Sequence, residues 1–408
     1  MDAGSRRRLA LAALAALVLR LAFSLGYWVD QPMTRDEREY LSLARSLARG
    51  HGFVYDEAVT AAGGDPFGRA PGYPAFIALV GGGRAVTGSV PAALKVAQSV
   101  VGAAGVWLLG LVAYRLAGAR AAVAGAVIAA AYPPLVWVSG YALSEGVFWP
   151  MGLATVLLFD RAYAKGPAGV PLALAAGLLA GLAVLVRPGM LFFLLLAGPW
   201  LLWKRQVRLV AALALGAAIV VLPWTARNYA HHGRLVIVAS EGGVTFWTGN
   251  HPLAVGDGDL AANPQLKTAQ IALRAAHPDL TEEQMEPVYY REALDWIRAH
   301  PVAWIRLEFR KLFYFVVPVG PSYFVHSTRY VIASIVPYLL VLPAAVIGAG
   351  LLGRRRRLAP GLWLLGASAL VMALAFFPQE RFRIPVVDPT LIVLAAAAVG
   401  LRGKGLTA

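Results

Sequence analysis

Long apolar stretches separated by short polar breaks recur along the whole chain, and most have the length a helix needs to cross a hydrocarbon core. The pattern predicts about ten crossing helices, over residues 9–28, 92–114, 121–138, 147–163, 172–186, 191–203, 209–224, 330–352, 362–377 and 386–401. Three stretches do not fit it. Residues 73–80 are apolar but end at Gly81, Gly82, Gly83 and Arg84, too short to span, and read as a half-helix. Residues 302–317 mix Arg306, Glu308, Arg310 and Lys311 with aromatics, which predicts an amphipathic helix lying in the membrane interface. Residues 226–300 are the one sizeable polar stretch, too short for a large independent domain.

Basic residues orient these helices. Arg6 to Arg8, Arg115 and Arg120, Arg161 and Lys165, Lys204, Arg205 and Arg208, and Arg354 to Arg357 all fall at alternate turns. The positive-inside rule puts those turns and both termini in the cytoplasm. The first span lacks the small-residue exit of a cleavable signal and is expected to remain as an anchor. No equal halves repeat, which weighs against transporter folds built from duplicated bundles.

Composition adds exclusions. The 408 residues are 59% hydrophobic with a formal net charge of +15. In a soluble chain that charge would suggest nucleic acid. Here the arginines sit in short turns between spans, so the expected partner is the lipid bilayer and no nucleic acid is expected. The absence of cysteine excludes disulfides, thiolate metal sites and a cysteine nucleophile.

The opposite turns collect the unusual polar groups. They are Arg35-Asp36-Glu37 after the first span, Asp65 and Arg69 before the half-helix, Ser144-Glu145, Arg187, Arg227-Asn228, Glu241, Asn250-His251, and Glu380-Arg381-Phe382-Arg383. Polar residues mark loops in any membrane protein, but several of these sit directly at helix ends, where a solvated loop needs no charge. Their arrival from distant segments predicts one cavity at the membrane boundary. Arg20, midway along the first span, reads either as a buried partner for a cavity carboxylate or as a snorkelling charge.

The segments RDEREYLSLARSL, GRAPGYPAF, LSE, LVRPG, PWTARNY with EGGVTFWTGN, and the late QERFRIPV together resemble the bacterial family 39 glycosyltransferases. These are relatives of protein O-mannosyltransferases and of the aminoarabinose transferase that modifies lipid A. The resemblance runs from about residue 9 to residue 401, and its most specific parts are the acidic pair and the PWTARNY…GN combination. The chain departs from the larger members in lacking an extended C-terminal soluble domain, so their acceptors do not carry over.

The resemblance implies an all-α polytopic GT-C glycosyltransferase fold. It further implies a polyprenyl-phosphate-linked sugar donor and transfer on the extracytoplasmic face of the bacterial plasma membrane. On this basis residues 1–225 form the transmembrane module with a catalytic first outer loop (29–74), 226–327 an outer loop with the interfacial helix, and 328–408 the C-terminal helices. Asp36 matches the family's catalytic acid.

Inverting transfer needs a base that deprotonates an acceptor hydroxyl as it attacks the anomeric carbon, and an aspartate fixed at the start of a short helix suits that role. The helix bearing it, with Tyr40, Leu43 and Leu47 on one face, is expected to lie on the membrane surface. The plain alternative for Asp36 is a charge that favours a helix N-terminus. Glu37 is the fallback, or holds an arginine or a metal. The leaving phosphate calls for guanidinium groups, and Arg69, Arg187, Arg381 and Arg383 are the candidates; for Arg187 and Arg383 snorkelling is the competing reading.

Tyr73, Glu145, Asn250 and His251 are candidate substrate contacts, with helix capping the alternative for Glu145 and an ordinary loop role for His251. The sequence requires no cofactor and leaves a divalent cation open. It does not distinguish a glycan, lipid or protein acceptor. A soluble nucleotide-sugar donor is disfavoured, because no Gly-rich phosphate cradle follows a strand. The alternative class, a transporter or flippase for a lipid-linked anion, would place polar groups toward both sides or at mid-membrane.

Overall fold

A computed structural model describes residues 1–56, 68–83, 88–356 and 359–402. Asp65, Arg84 and Arg357 lie outside the described residues. All regular structure among those residues is helical. The first span is α1 (Ala3–Leu21), which continues through a π-turn over Ala22–Tyr27. A short amphipathic helix, α2 (Arg35–Ala48), and the half-helix α3 (Gly72–Leu79) follow. Next come α4 (Ala92–Ala117) and α5 (Ala119–Ala131), the latter ending where Tyr132 precedes the short Pro-started α6 (Pro133–Trp137). The expected helix over 121–138 is thus broken, because consecutive prolines remove backbone donors and push the preceding residue out of the helical region.

The middle of the bundle contains α7 (Glu145–Lys165) and α8 (Val170–Val186), joined at Gly166, whose φ of 55° only glycine adopts freely. Then follow α9 (Met190–Trp203) and α10 (Val207–His232). Three helices, α11 (Gly242–Gly249), α12 (Pro264–Ala275) and α13 (Glu282–Ala299), occupy the polar stretch. They share a small apolar core of Val244, Trp247, Leu266, Met285, Tyr289 and Ala293. The stretch expected to form an interfacial helix is α14 (Pro301–Val316). The chain closes with α15 (Thr328–Arg354), α16 (Pro360–Ala375), the four-residue α17 (Glu380–Arg383) and α18 (Val387–Arg402).

The long helices are apolar on every face, as expected of rods whose outer sides meet lipid. Leu11, Leu14, Val18, Leu215, Ile219, Leu222 and Leu340 stand exposed on them. Where helices of the bundle approach most closely, small residues make the contact. A Cβ at Gly177 of α8 would collide with the Leu213 carbonyl of α10, and one at Gly181 would come within 3.0 Å of the Ala217 carbonyl. Without a hydrophobic driving force between helices in lipid, such close backbone approach supplies the dispersion contacts that hold them.

Two placements differ from the sequence reading. Helix α2 does not lie on a surface: Glu37 and every residue from Glu39 to Ala44 are buried, so it is embedded beneath the loops and against α3. Arg20 reaches no carboxylate among the described residues. It is fully buried and donates to the carbonyls of Ala16, Ala129 and Ala130, satisfying acceptors at the C-terminal end of α5.

Candidate active site

Two neighbouring acids at the start of α2 are sent in different directions by the local fold. Thr34 caps the helix, its hydroxyl accepting from the Glu37 amide at 3.3 Å while the Thr34 amide donates to Glu37 Oε2 at 2.8 Å. Glu37 Oε1 accepts from the Ala142 amide at 2.9 Å, so its carboxylate is occupied in tying α2 to the segment before α7. Asp36, about 100° further round the helix, faces the other way and lines a cavity.

Asp36 is held between two arginines. Arg69 Nη2 donates to its Oδ1 at 2.7 Å and Arg381 Nη1 to its Oδ2 at 2.6 Å. Arg69 comes from the loop before α3, and the approach of that loop to α8 requires Gly72, since a Cβ there would lie 2.8 Å from the Leu185 carbonyl. Arg69 also meets Glu39 Oε2 at 2.6 Å and Glu241 Oε2 at 3.0 Å. On the other side Glu145 is buried and its Oε1 accepts from Arg381 Nε at 3.1 Å and forms an ion pair with Arg187 Nη1 at 3.1 Å, while Ser144 Oγ accepts from Arg187 Nη1 at 3.2 Å. Glu145 therefore stands behind the two arginines and aims them. Burial opposes ionisation of Asp36, but the charges and hydrogen bonds of Arg381 and Arg69 outweigh it and hold the carboxyl well below the usual carboxylate range.

The cavity beside this cluster has a volume of about 1030 Å³. Its polar end is Asp36, Arg69, Arg187, Glu241 and Arg381. One wall is apolar, made by Val186, Leu191, Phe192, Leu195, Met372 and Phe376 of α8, α9, α16 and its end. Leu195 is 66% exposed, so this wall reaches the outer face of the bundle. Helix α13 supplies the far side with Tyr290, Arg291, Leu294 and Arg298. Exposure ranks the arginines for contact with a ligand: Arg381 32%, Arg187 13%, Arg69 7%.

Other predicted residues lie away from the cavity. Arg383 and Glu380 point from α17 in the opposite direction to Arg381, where Arg383 meets Asp388 at 3.0 Å, Glu380 at 3.7 Å, and the Tyr323 and Ser334 hydroxyls. Tyr73 is buried and its hydroxyl donates to Gln98 Oε1 at 2.7 Å. Asn250 is buried in a structural knot, accepting from Trp304 Nε1 and Lys311 Nζ and donating to the carbonyls of Phe246 and Ala375. His251 packs against Trp247 in a tilted ring contact, and burial pushes its imidazole down to about 4. Among the described residues no three His, Asp or Glu side chains converge as a metal ion would need.

The sequence reading missed Glu39 and the apolar wall. Glu39, three residues after Asp36, shares its helix face, and that spacing was available as a signal. The wall had none, because its residues look like any lipid-facing leucine or phenylalanine.

No family model matches the chain, and no curated protein matches it by sequence. Its fold is similar to that of the oligosaccharyltransferase AglB from Archaeoglobus fulgidus in complex with an inhibitory peptide and a dolichol-phosphate. The TM-score is 0.58 at 18% identity, covering 97% of this chain and 50% of that one. A second structure of the Archaeoglobus fulgidus enzyme, tethered with an acceptor peptide, gives 0.57 at 14% identity, covering 98% and 49%. ArnT from Cupriavidus metallidurans bound to undecaprenyl phosphate gives 0.45 at 14% identity, covering 98% and 78%. The likeness to the oligosaccharyltransferase establishes the fold: this is an all-α polytopic membrane protein of the GT-C type. The chain spans about half the length of the oligosaccharyltransferase chains it matches.

Proposed function

We propose that this protein is a membrane glycosyltransferase that moves a sugar from a polyprenyl-phosphate donor to an acceptor hydroxyl. The observation that carries the reading is a carboxylate pinned between two guanidinium groups at the polar end of a cavity whose side wall is apolar and reaches the bundle surface. A lipid-linked phosphate needs both halves of that arrangement, a cationic grip beside an apolar track.

In this reading Arg381 and Arg187 hold the donor phosphate, since both line the cavity and keep guanidinium N–H groups free of the carboxylates that aim them. Their charge stabilises the phosphate as it leaves. Each Asp36 oxygen accepts from one arginine and keeps a second lone pair, with which it takes the proton of the acceptor hydroxyl. Attack from the face opposite the phosphate inverts the anomeric carbon. The basic turns Arg6 to Arg8, Arg115, Lys165, Lys204 and Arg354 lie at the helix ends remote from the cavity, which supports an extracytoplasmic site by the positive-inside rule.

The test is reconstitution in vesicles with a radiolabelled polyprenyl-phosphate sugar and a panel of hydroxyl-bearing glycans, lipids and peptides. Transfer of label to an acceptor with release of free polyprenyl phosphate is the expected result. Movement of intact donor across the bilayer with no transfer would instead support a flippase.

A further inference from the structure

Four carboxylates, Asp36, Glu39, Glu145 and Glu241, pair with the guanidinium groups of Arg69, Arg187 and Arg381 at the polar end of the cavity, and Arg35 pairs with Glu39 from outside. A phosphodiester binding there would add a negative charge beside these carboxylates in a space partly walled by apolar side chains, where like charges repel strongly. Protonation of the least tightly held carboxylate would relieve that repulsion.

The four are not equally held. Glu39 is buried and gives one oxygen to Arg69 and the other to Arg35. Glu145 is buried and shared by Arg187 and Arg381. Asp36 engages one arginine with each oxygen. Glu241, at the start of α11, makes one ion pair, from Oε2 to Arg69 at 3.0 Å, and its Oε1 has no protein partner among the described residues. It is 33% exposed and lines the cavity.

Resting on the donor reading above, we propose that Glu241 is a positioning residue that takes up one proton from water as the donor phosphodiester binds, so that Arg69 Nη1 is released to the phosphate. The groups whose charges act on or respond to Glu241 are Asp36, Glu39 and Tyr40 from α2, Tyr55 and Arg69 from the following segments, and Arg187 from the end of α8, while Glu286 and Tyr290 of α13 face the adjacent Gly242. Only Arg69 among them lies within ion-pair distance. Burial, with the charges of Asp36 and Glu39, pushes the Glu241 carboxyl up despite Arg69. Glu286, which also lines the cavity, is pushed up mainly by its own burial and is the necessary control.

The experiment measures binding of the methyl ester of undecaprenyl phosphate, a phosphodiester of constant charge, to the full chain in phosphatidylcholine nanodiscs between about pH 5 and 9. The wild type should bind more tightly as pH falls, with a slope approaching about tenfold per pH unit. Calorimetry in buffers of different ionisation enthalpy should report proton uptake. Glu241→Gln should bind at least as tightly at high pH, with no slope and no uptake, while Glu286→Gln keeps both. Equal slopes in the wild type and Glu241→Gln, loss of the slope in Glu286→Gln alone, or binding by the wild type without proton uptake would overturn the proposal and leave the donor reading standing. No binding at any pH would overturn both.

Discussion

Asp36 and Arg381 stand 345 residues apart in the chain and 2.6 Å apart in the structure. The segment after the first helix and the short turn before the last helix therefore build one ionic unit, with Arg69 closing it from the other side. A carboxylate held this firmly is a poor proton acceptor at rest, because both neighbours favour its charged form. In the proposed reaction, a donor phosphate that drew Arg381 toward itself would weaken that restraint on Asp36 and raise its basicity.

Asp36→Asn keeps the size of the side chain and removes the basic oxygen. Transfer should fall by about two to four orders of magnitude, the usual worth of a general base, while donor binding survives. Because the arginines depress the Asp36 carboxyl, it stays charged down to and below its ordinary range near 3.8. An acid limb in the wild-type rate profile above about pH 5 should thus belong to another group. Wild-type transfer by the variant at normal protein levels would remove Asp36 from the mechanism.

Lysine replacements separate three of the candidate arginines. Arg187→Lys and Arg381→Lys keep a charge but lose the planar fork, so donor affinity or rate should drop by about 1–2 kcal/mol, roughly five- to thirtyfold. Arg383 instead anchors a buried cluster with Asp388, Tyr323 and Ser334. Arg383→Lys should cost about 1–3 kcal/mol of stability with donor affinity retained. A donor-affinity loss in Arg383→Lys equal to that in Arg381→Lys, measured over a donor concentration series, would contradict this division.

Much of this arrangement was legible in the sequence, for a physical reason. Charges are costly beside hydrocarbon, so each arginine and carboxylate at a helix end announced itself, and the convergence of Asp36, Arg69, Glu145, Arg187 and Arg381 follows from their shared side of the bundle. Direction within a turn was not legible. Arg381 and Arg383 occupy one short helix yet serve different clusters, and Glu37 turns inward because a capping box fixes it, which depends on packing against Ala142 that no spacing reveals. Asn250 read as a candidate substrate contact and is an interior strut for Lys311 and Trp304.

The second ionic cluster carries a pH signature of its own. Burial pushes the Glu380 carboxyl from 4.5 up to about 7, with Arg383 and a hydrogen bond from Tyr330 only partly offsetting it. A carboxyl whose folded value is raised binds its proton more tightly in the folded state, so its contribution to stability is complete below about pH 4.5 and is lost as pH rises through 7. The loss amounts to about 3 kcal/mol. Glu380→Gln should remove that slope, raising the melting temperature at pH 8 more than at pH 5 in thermal scans of the detergent-solubilised protein. Parallel pH profiles for the two proteins would show that Glu380 does not titrate in this window.

The side of the membrane on which the cavity opens is open to direct chemistry, since the chain has no cysteine to confuse labelling. Gln31 is exposed just before α2, at the cavity end of the bundle, and Arg208 is exposed at the opposite end, in the first turn of α10. The basic turns are gathered at the Arg208 end, so the positive-inside rule predicts that Gln31→Cys reacts with an impermeant maleimide added to spheroplasts and that Arg208→Cys does not. Both should react after permeabilisation, which controls for accessibility within the fold. The reverse pattern would put the cavity in the cytoplasm, where a lipid-linked donor would have to present its sugar to the inner leaflet, and the extracytoplasmic reading would fall while the geometry of the site stood.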